Sequence, residues 1–112
     1  MGEKTDETAA AIARTTRKLG KQSATHVAEY EQVQTDSVNI TGKTEVQRAV
    51  EAGIQLLIHF TSPLNDDLKV VARSGIPTVC CPRSNGTLAV GIPPIKEMLD
   101  ESIQILLGTD NV

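Results

Sequence analysis

Apolar and polar positions follow two rhythms along this chain, and the rhythm switches repeatedly. Over residues 5–19, Ala9, Ile12, Ala13 and Thr16 recur at helical spacing. Thr5 or Asp6 can cap the start, Arg14, Arg17 and Lys18 complement the dipole near the end, and Gly20 suits the left-handed residue that closes a helix. Residues 23–27 then read as a short strand. The stretch 30–43 is polar with no steady period, so it predicts a long loop with at most one helical turn. A second helix begins near Thr44, where Thr44 and Gln47 have capping-box spacing. Its inner face is Val46, Ala49 and Val50, and Gly53 follows its end.

Residues 54–60 are almost wholly apolar, as a strand covered on both faces should be, with His59 near the end. A turn at Thr61-Ser62-Pro63 leads into a helix over residues 65–74, closed by Gly75. Residues 76–81 predict a third strand, with Pro77 in its first position, where a missing N–H does least harm. A second long loop covers 82–93. Pro94 opens a last helix with Ile95, Met98 and Leu99 inward. Residues 103–107 form a fourth strand, and Gly108-Thr109-Asp110 turns out of it.

Strands and helices alternate without a hairpin signal. That predicts an α/β fold of four parallel strands joined by right-handed crossovers. No linker divides the 112 residues, which read as a single partial domain, 1–112. Only 2% of residues are aromatic, so the core must be aliphatic, the usual filling of a parallel sheet. A net charge of -3 gives no basic surface for nucleic acid or anionic lipid. There is no apolar stretch of membrane-spanning length and no signal peptide, so the expected location is cytoplasmic. Adjacent Cys80 and Cys81 lack the separation of a structural cross-link and the Cys-x-x-Cys spacing of a redox or zinc motif. They read as buried thiols.

Three strand exits carry polar residues that a core does not need. His26 and Glu29 stand at the first, His59 at the second and Asp110 at the last. In parallel α/β folds the C-terminal rim of the sheet is where chemistry is placed. Imidazole and carboxylate suit zinc or another divalent metal, and Glu29 could reach a substrate or a bound water, as metal-assisted hydrolysis requires. The plainer alternative is a set of hydrogen-bonded structural histidines and a solvated glutamate. Asn85 is a candidate substrate hydrogen-bonder or a loop-structural residue, and Arg83 reads as solvated.

The order His26-x-x-Glu29, Leu57-Ile58-His59, Cys81-Pro82-Arg83-Ser84-Asn85, Gly91-Ile92-Pro93-Pro94-Ile95 and Leu107-Gly108-Thr109-Asp110 resembles the C-terminal half of the amidohydrolase superfamily. The nearest branch holds cytosine, guanine and S-adenosylhomocysteine deaminases and triazine chlorohydrolases. The resemblance runs from about Asp6 to the end and implies strands five to eight of a metal-dependent (β/α)8 TIM-type barrel. It implies His26 and Asp110 as metal ligands and Glu29 as the proton shuttle that touches the substrate ring. His59 matches the histidine beside the metal-bound hydroxide, Asp110 also accepts the water's proton, and Asn85 lines the substrate pocket. The implied cofactor is a divalent metal, zinc or else iron. The implied substrate is a small nitrogen heterocycle that is deaminated or dechlorinated by water.

The departures matter as much. The family's His-x-His pair on strand one is absent, since His26 and His59 are the only histidines. Strands one to four and the small β-sandwich domain have no counterpart, and Ser102 stands where the family has glycine. The expectation is therefore a half-barrel, inactive as an isolated chain and binding metal weakly or not at all. It would associate with itself or with a complementary half. Leaving about 400 Å² of its apolar inner face in water would forgo about 10 kcal/mol. The alternatives are a non-catalytic half-barrel assembly module and a weak metal-binding protein.

Overall fold

A computed structural model describes residues 1, 5–82 and 91–108. Among them the elements run α1 (Asp6–Lys18), β1 (Ala24–Val27), α2 (Glu31–Thr41), α3 (Glu45–Ala52), β2 (Leu56–His59), α4 (Asp67–Ser74), β3 (Thr78–Cys80), α5 (Ile95–Asp100) and β4 (Ile105–Leu107). The sheet is parallel throughout, in the order β1-β2-β3-β4. That sequential order is the one consecutive strands take in a (β/α)8 barrel. The architecture is the predicted one.

The local signals act as read. Thr5 caps α1 by accepting from the Thr8 N–H at 3.1 Å. Thr44 and Gln47 close a full capping box on α3. Gly53 and Gly75 take the left-handed position behind their helices, at φ 86° and 71°. The strands are shorter than predicted, and Pro77 lies just before β3, where its carbonyl accepts from the Leu57 N–H. Pro94 is the residue before α5 rather than its first.

The main correction is α2, which replaces the predicted loop over 30–43. Its inward positions, Val33, Gln34, Ser37 and Val38, do recur at helical spacing. Two of the four are polar, however, and Gln34 and Ser37 are the buried ones. A stripe that buries hydrogen-bonded polar groups leaves no hydrophobic period to read.

The core lies between the sheet and the helices. Val27, Leu57 and Cys80 from the strands meet Ala9 and Ala13 of α1, Val46 and Ala49 of α3, Val71 of α4 and Met98 of α5. Ile12 and Leu99, placed inward by the sequence reading, are exposed. Burial alternates along β1, β2 and β3, and the register adds Leu106 to His26, Ile58 and Val79 on the other, less covered face. Cys80 and Cys81 are both buried thiols, and burial, with the neighbouring Cys81, pushes the Cys80 thiol up. None of the described helices is long and apolar enough to cross a membrane.

Candidate metal and acid–base site

The exits of β1 and β2 are built from strained backbone. Ala28 has φ 50°, His59 φ 86° and Phe60 φ 57°, all in the left-handed region that side chains disfavour. Such residues persist only where their surroundings over-determine them, and they gather at functional sites. Two hydrogen bonds tie the exits together, from the Phe60 N–H to the Val27 carbonyl at 3.0 Å and from the Ser62 N–H to the Ala28 carbonyl at 2.8 Å.

Strand register pairs His26 with Ile58 and Val27 with His59. By alternation alone the two histidines would face opposite sides of the sheet. The left-handed turn at His59 ends that alternation, and the rings meet edge to face with centroids 4.7 Å apart. His59 Nε2 lies 3.0 Å from His26 Nδ1, so one of the two nitrogens donates to the other. Glu29 Oε1 lies 3.6 Å from the same His59 nitrogen. His59 is wholly buried, Glu29 is 24% exposed and His26 is open to solvent, so the cluster grades from a dry floor to a wet mouth.

One ligand atom from each of His26, Glu29 and His59 falls within a common 4.8 Å. Two imidazoles and a carboxylate are a donor set that zinc and similar divalent ions accept. The residues present therefore fit a metal, although three ligands from two strand exits do not complete a tetrahedral shell. The sequence reading placed His26, Glu29 and His59 on one rim, and the structure brings them together. It named His26 and Asp110 as the ligands. Asp110, together with Asn85 and Arg83, lies outside the described residues.

One group near the site went unread. Glu45, in the first turn of α3, is buried and accepts a hydrogen bond from the Ala28 N–H at 3.0 Å. Its one legible signal was a position next to the Thr44 cap, where an acidic residue reads as a helix-dipole partner.

Comparison with known proteins shows the family and the fold. The sequence model of the Amidohydrolase family matches residues 2–112. A putative aminohydrolase of Methanothermobacter thermautotrophicus is 51% identical over all 112 residues, which span 29% of its length. A 5-methylthioadenosine/S-adenosylhomocysteine deaminase of Caldanaerobacter subterraneus subsp. tengcongensis is 32% identical over 84% of this chain and 23% of its own. The zinc-bound crystal structure of an adenosine deaminase from Xanthomonas campestris superposes with a TM-score of 0.82. It is 25% identical, covering 94% of this chain and 25% of that one. The chain thus spans less than a third of the length of these relatives.

Proposed function

The chain belongs to the amidohydrolase family, and from that premise we propose that it carries one half of a hydrolytic deaminase site, with His26, Glu29 and His59 as its working groups. The observation that carries this reading is the convergence of those three side chains at two strained strand exits. The relatives are named as aminohydrolases and as deaminases of adenosine-type compounds. The substrate class proposed is therefore a small nitrogen heterocycle bearing an exocyclic amino group. The location proposed is the cytoplasm.

Zinc, or iron in its place, would be held by His26 with Asp110, as the family pattern implies, and would lower the pKa of a coordinated water. The chain's own residues do the rest. Glu29, half-buried and beside His59, is placed to take a proton from the attacking water and return it to the departing nitrogen. Water oxygen bonds to the ring carbon, the carbon–nitrogen bond breaks, and ammonia leaves with that proton. His59, held dry at the floor, orients the attacking oxygen through a hydrogen bond. Asp110 is the second proton acceptor and Asn85 a contact to the heterocycle.

Two protein ligands, His26 and Asp110, are few for a tight site, and the 112-residue chain is expected to bind metal weakly and to turn over little by itself. The test grafts residues 2–112 into the matching segment of the Methanothermobacter relative. Ammonia release is then followed from guanine, 5′-methylthioadenosine and S-adenosylhomocysteine. The expected result is release above that of the graft carrying Glu29→Gln. A folded, zinc-loaded graft that is silent on every compound would overturn the reading.

A second reading, that the chain acts by assembly, is favoured by the open sheet. Leu106 is 39% and Leu107 80% exposed on the edge strand β4, and β1 is the opposite edge. Edges and faces of this kind invite pairing with a second copy or with a complementary half-barrel.

A further inference from the structure

Beneath the site lies a buried polar network that the chemistry above does not use. Asp67, wholly buried in the first turn of α4, accepts from Thr44 Oγ1 at 2.7 Å, from Gln34 Nε2 at 2.7 Å and from the Leu64 N–H at 2.9 Å. Gln34 also donates to the Ser62 carbonyl at 3.2 Å and accepts from the Glu45 N–H at 2.9 Å. Glu45 completes the path by accepting from the Ala28 N–H at 3.0 Å. The path thus runs from the β2 exit at Ser62, through α2, to the β1 exit at Ala28.

Its two ends are the backbone segments that the site depends on. Ala28 sits between His26 and Glu29, at φ 50°. Alanine gains nothing from that conformation, so its surroundings must hold it. The Glu45 carboxylate is the contact that fixes its N–H, while the Ala28 carbonyl is fixed by Ser62. The remaining oxygen of Glu45 lies 3.6 Å from the amine of Met1.

We propose that Glu45 is a positioning residue for this site: its carboxylate holds the Ala28 amide in the left-handed turn that brings Glu29 onto His59. The inference rests on the reading above only in taking His26, Glu29 and His59 as the site.

Reach and charge separate this role from a generic one. An acid in the first turn of a helix also favours the dipole, and there charge is what counts. For the proposed role, length is what counts. Glu45→Asp keeps the charge but withdraws the carboxylate by about 1.5 Å, beyond hydrogen-bond range of the Ala28 N–H. Glu45→Gln loses the charge but keeps an oxygen at the same reach.

The experiment is nuclear magnetic resonance on the 112-residue chain without metal. It reads the Overhauser contact between the Glu29 side chain and the His59 ring and the exchange protection of the Ala28 amide. Wild type and Glu45→Gln are expected to show both. Glu45→Asp is expected to lose the side-chain contact and about tenfold of the Ala28 protection, while Leu57 in the core keeps its own. Retention of the side-chain contact in Glu45→Asp, its loss in Glu45→Gln, or its absence from wild type would each overturn the proposal. If the pattern holds and the grafted enzyme is silent, the positioning role stands and the deaminase reading falls.

Discussion

His59 Nε2 lies 3.0 Å from His26 Nδ1, joining the exits of two adjacent parallel strands. The contact exists because His59 takes φ 86° and leaves the alternation of β2. On the proposed function, this buried imidazole hydrogen-bonds the reacting oxygen. In the grafted enzyme, His59→Ala should lower kcat by about a hundredfold with a smaller change in KM. Steady-state ammonia release checks this, and a change confined to KM would reassign His59 to substrate binding.

Gly108 offers a test of how the last strand packs. The sequence reading gave it a turning role, but a Cβ there would stand 2.8 Å from Val79 Cγ1. Its N–H bonds to the Cys80 carbonyl at 2.9 Å, which holds the chain tight against β3. Gly108→Ala should therefore destabilise by about 1–3 kcal/mol, as overpacking does. A urea unfolding curve measures it, and an unchanged midpoint would mean that Val79 moves aside freely.

Asp67 anchors the polar network, and its removal leaves donors from Thr44, Gln34 and Leu64 without an acceptor in a dry place. Asp67→Ala should cost about 3 kcal/mol, since stranded buried donors lose their full solvation. The same unfolding experiment reads this loss. A cost below that of a surface substitution would show that water enters the network.

Much of this was legible because local chemistry and tertiary structure agree. Thr5, Thr44 with Gln47, Gly53 and Gly75 end their helices as their types dictate. The apolar runs around Leu56–His59 and Thr78–Cys80 became parallel strands, though buried on one face only and not on both. Helix α2 was illegible because Gln34 and Ser37 are its buried face, and only the tertiary partners Asp67 and Arg48 explain why. The site was half legible. Strand exits could be located from apolar runs, so His26, Glu29 and His59 could be placed on one rim. The left-handed backbone that turns His59 toward His26 has no signature in a histidine or a phenylalanine. Ser102 is a partial exception: it takes φ 60° where the family resemblance implies glycine.

The open face of the sheet bears on behaviour in solution. Leu106 and Leu107 are exposed on an edge strand, with Val79 beside Leu106 on the same face. Sedimentation at micromolar concentration should show association, and Leu107→Lys should shift the chain toward monomer. A wild-type chain that stays monomeric and melts in a sharp, concentration-independent transition would contradict the open half-barrel.

The central claim is that His26, Glu29 and His59 form part of a metal-holding hydrolase site. Cobalt(II) titration of the 112-residue chain, followed by visible absorbance, tests it most directly. The account predicts weak binding that saturates at one equivalent, and loss of the signal in His26→Ala. Absence of any cobalt signal at millimolar metal, or a signal that survives His26→Ala unchanged, would contradict it.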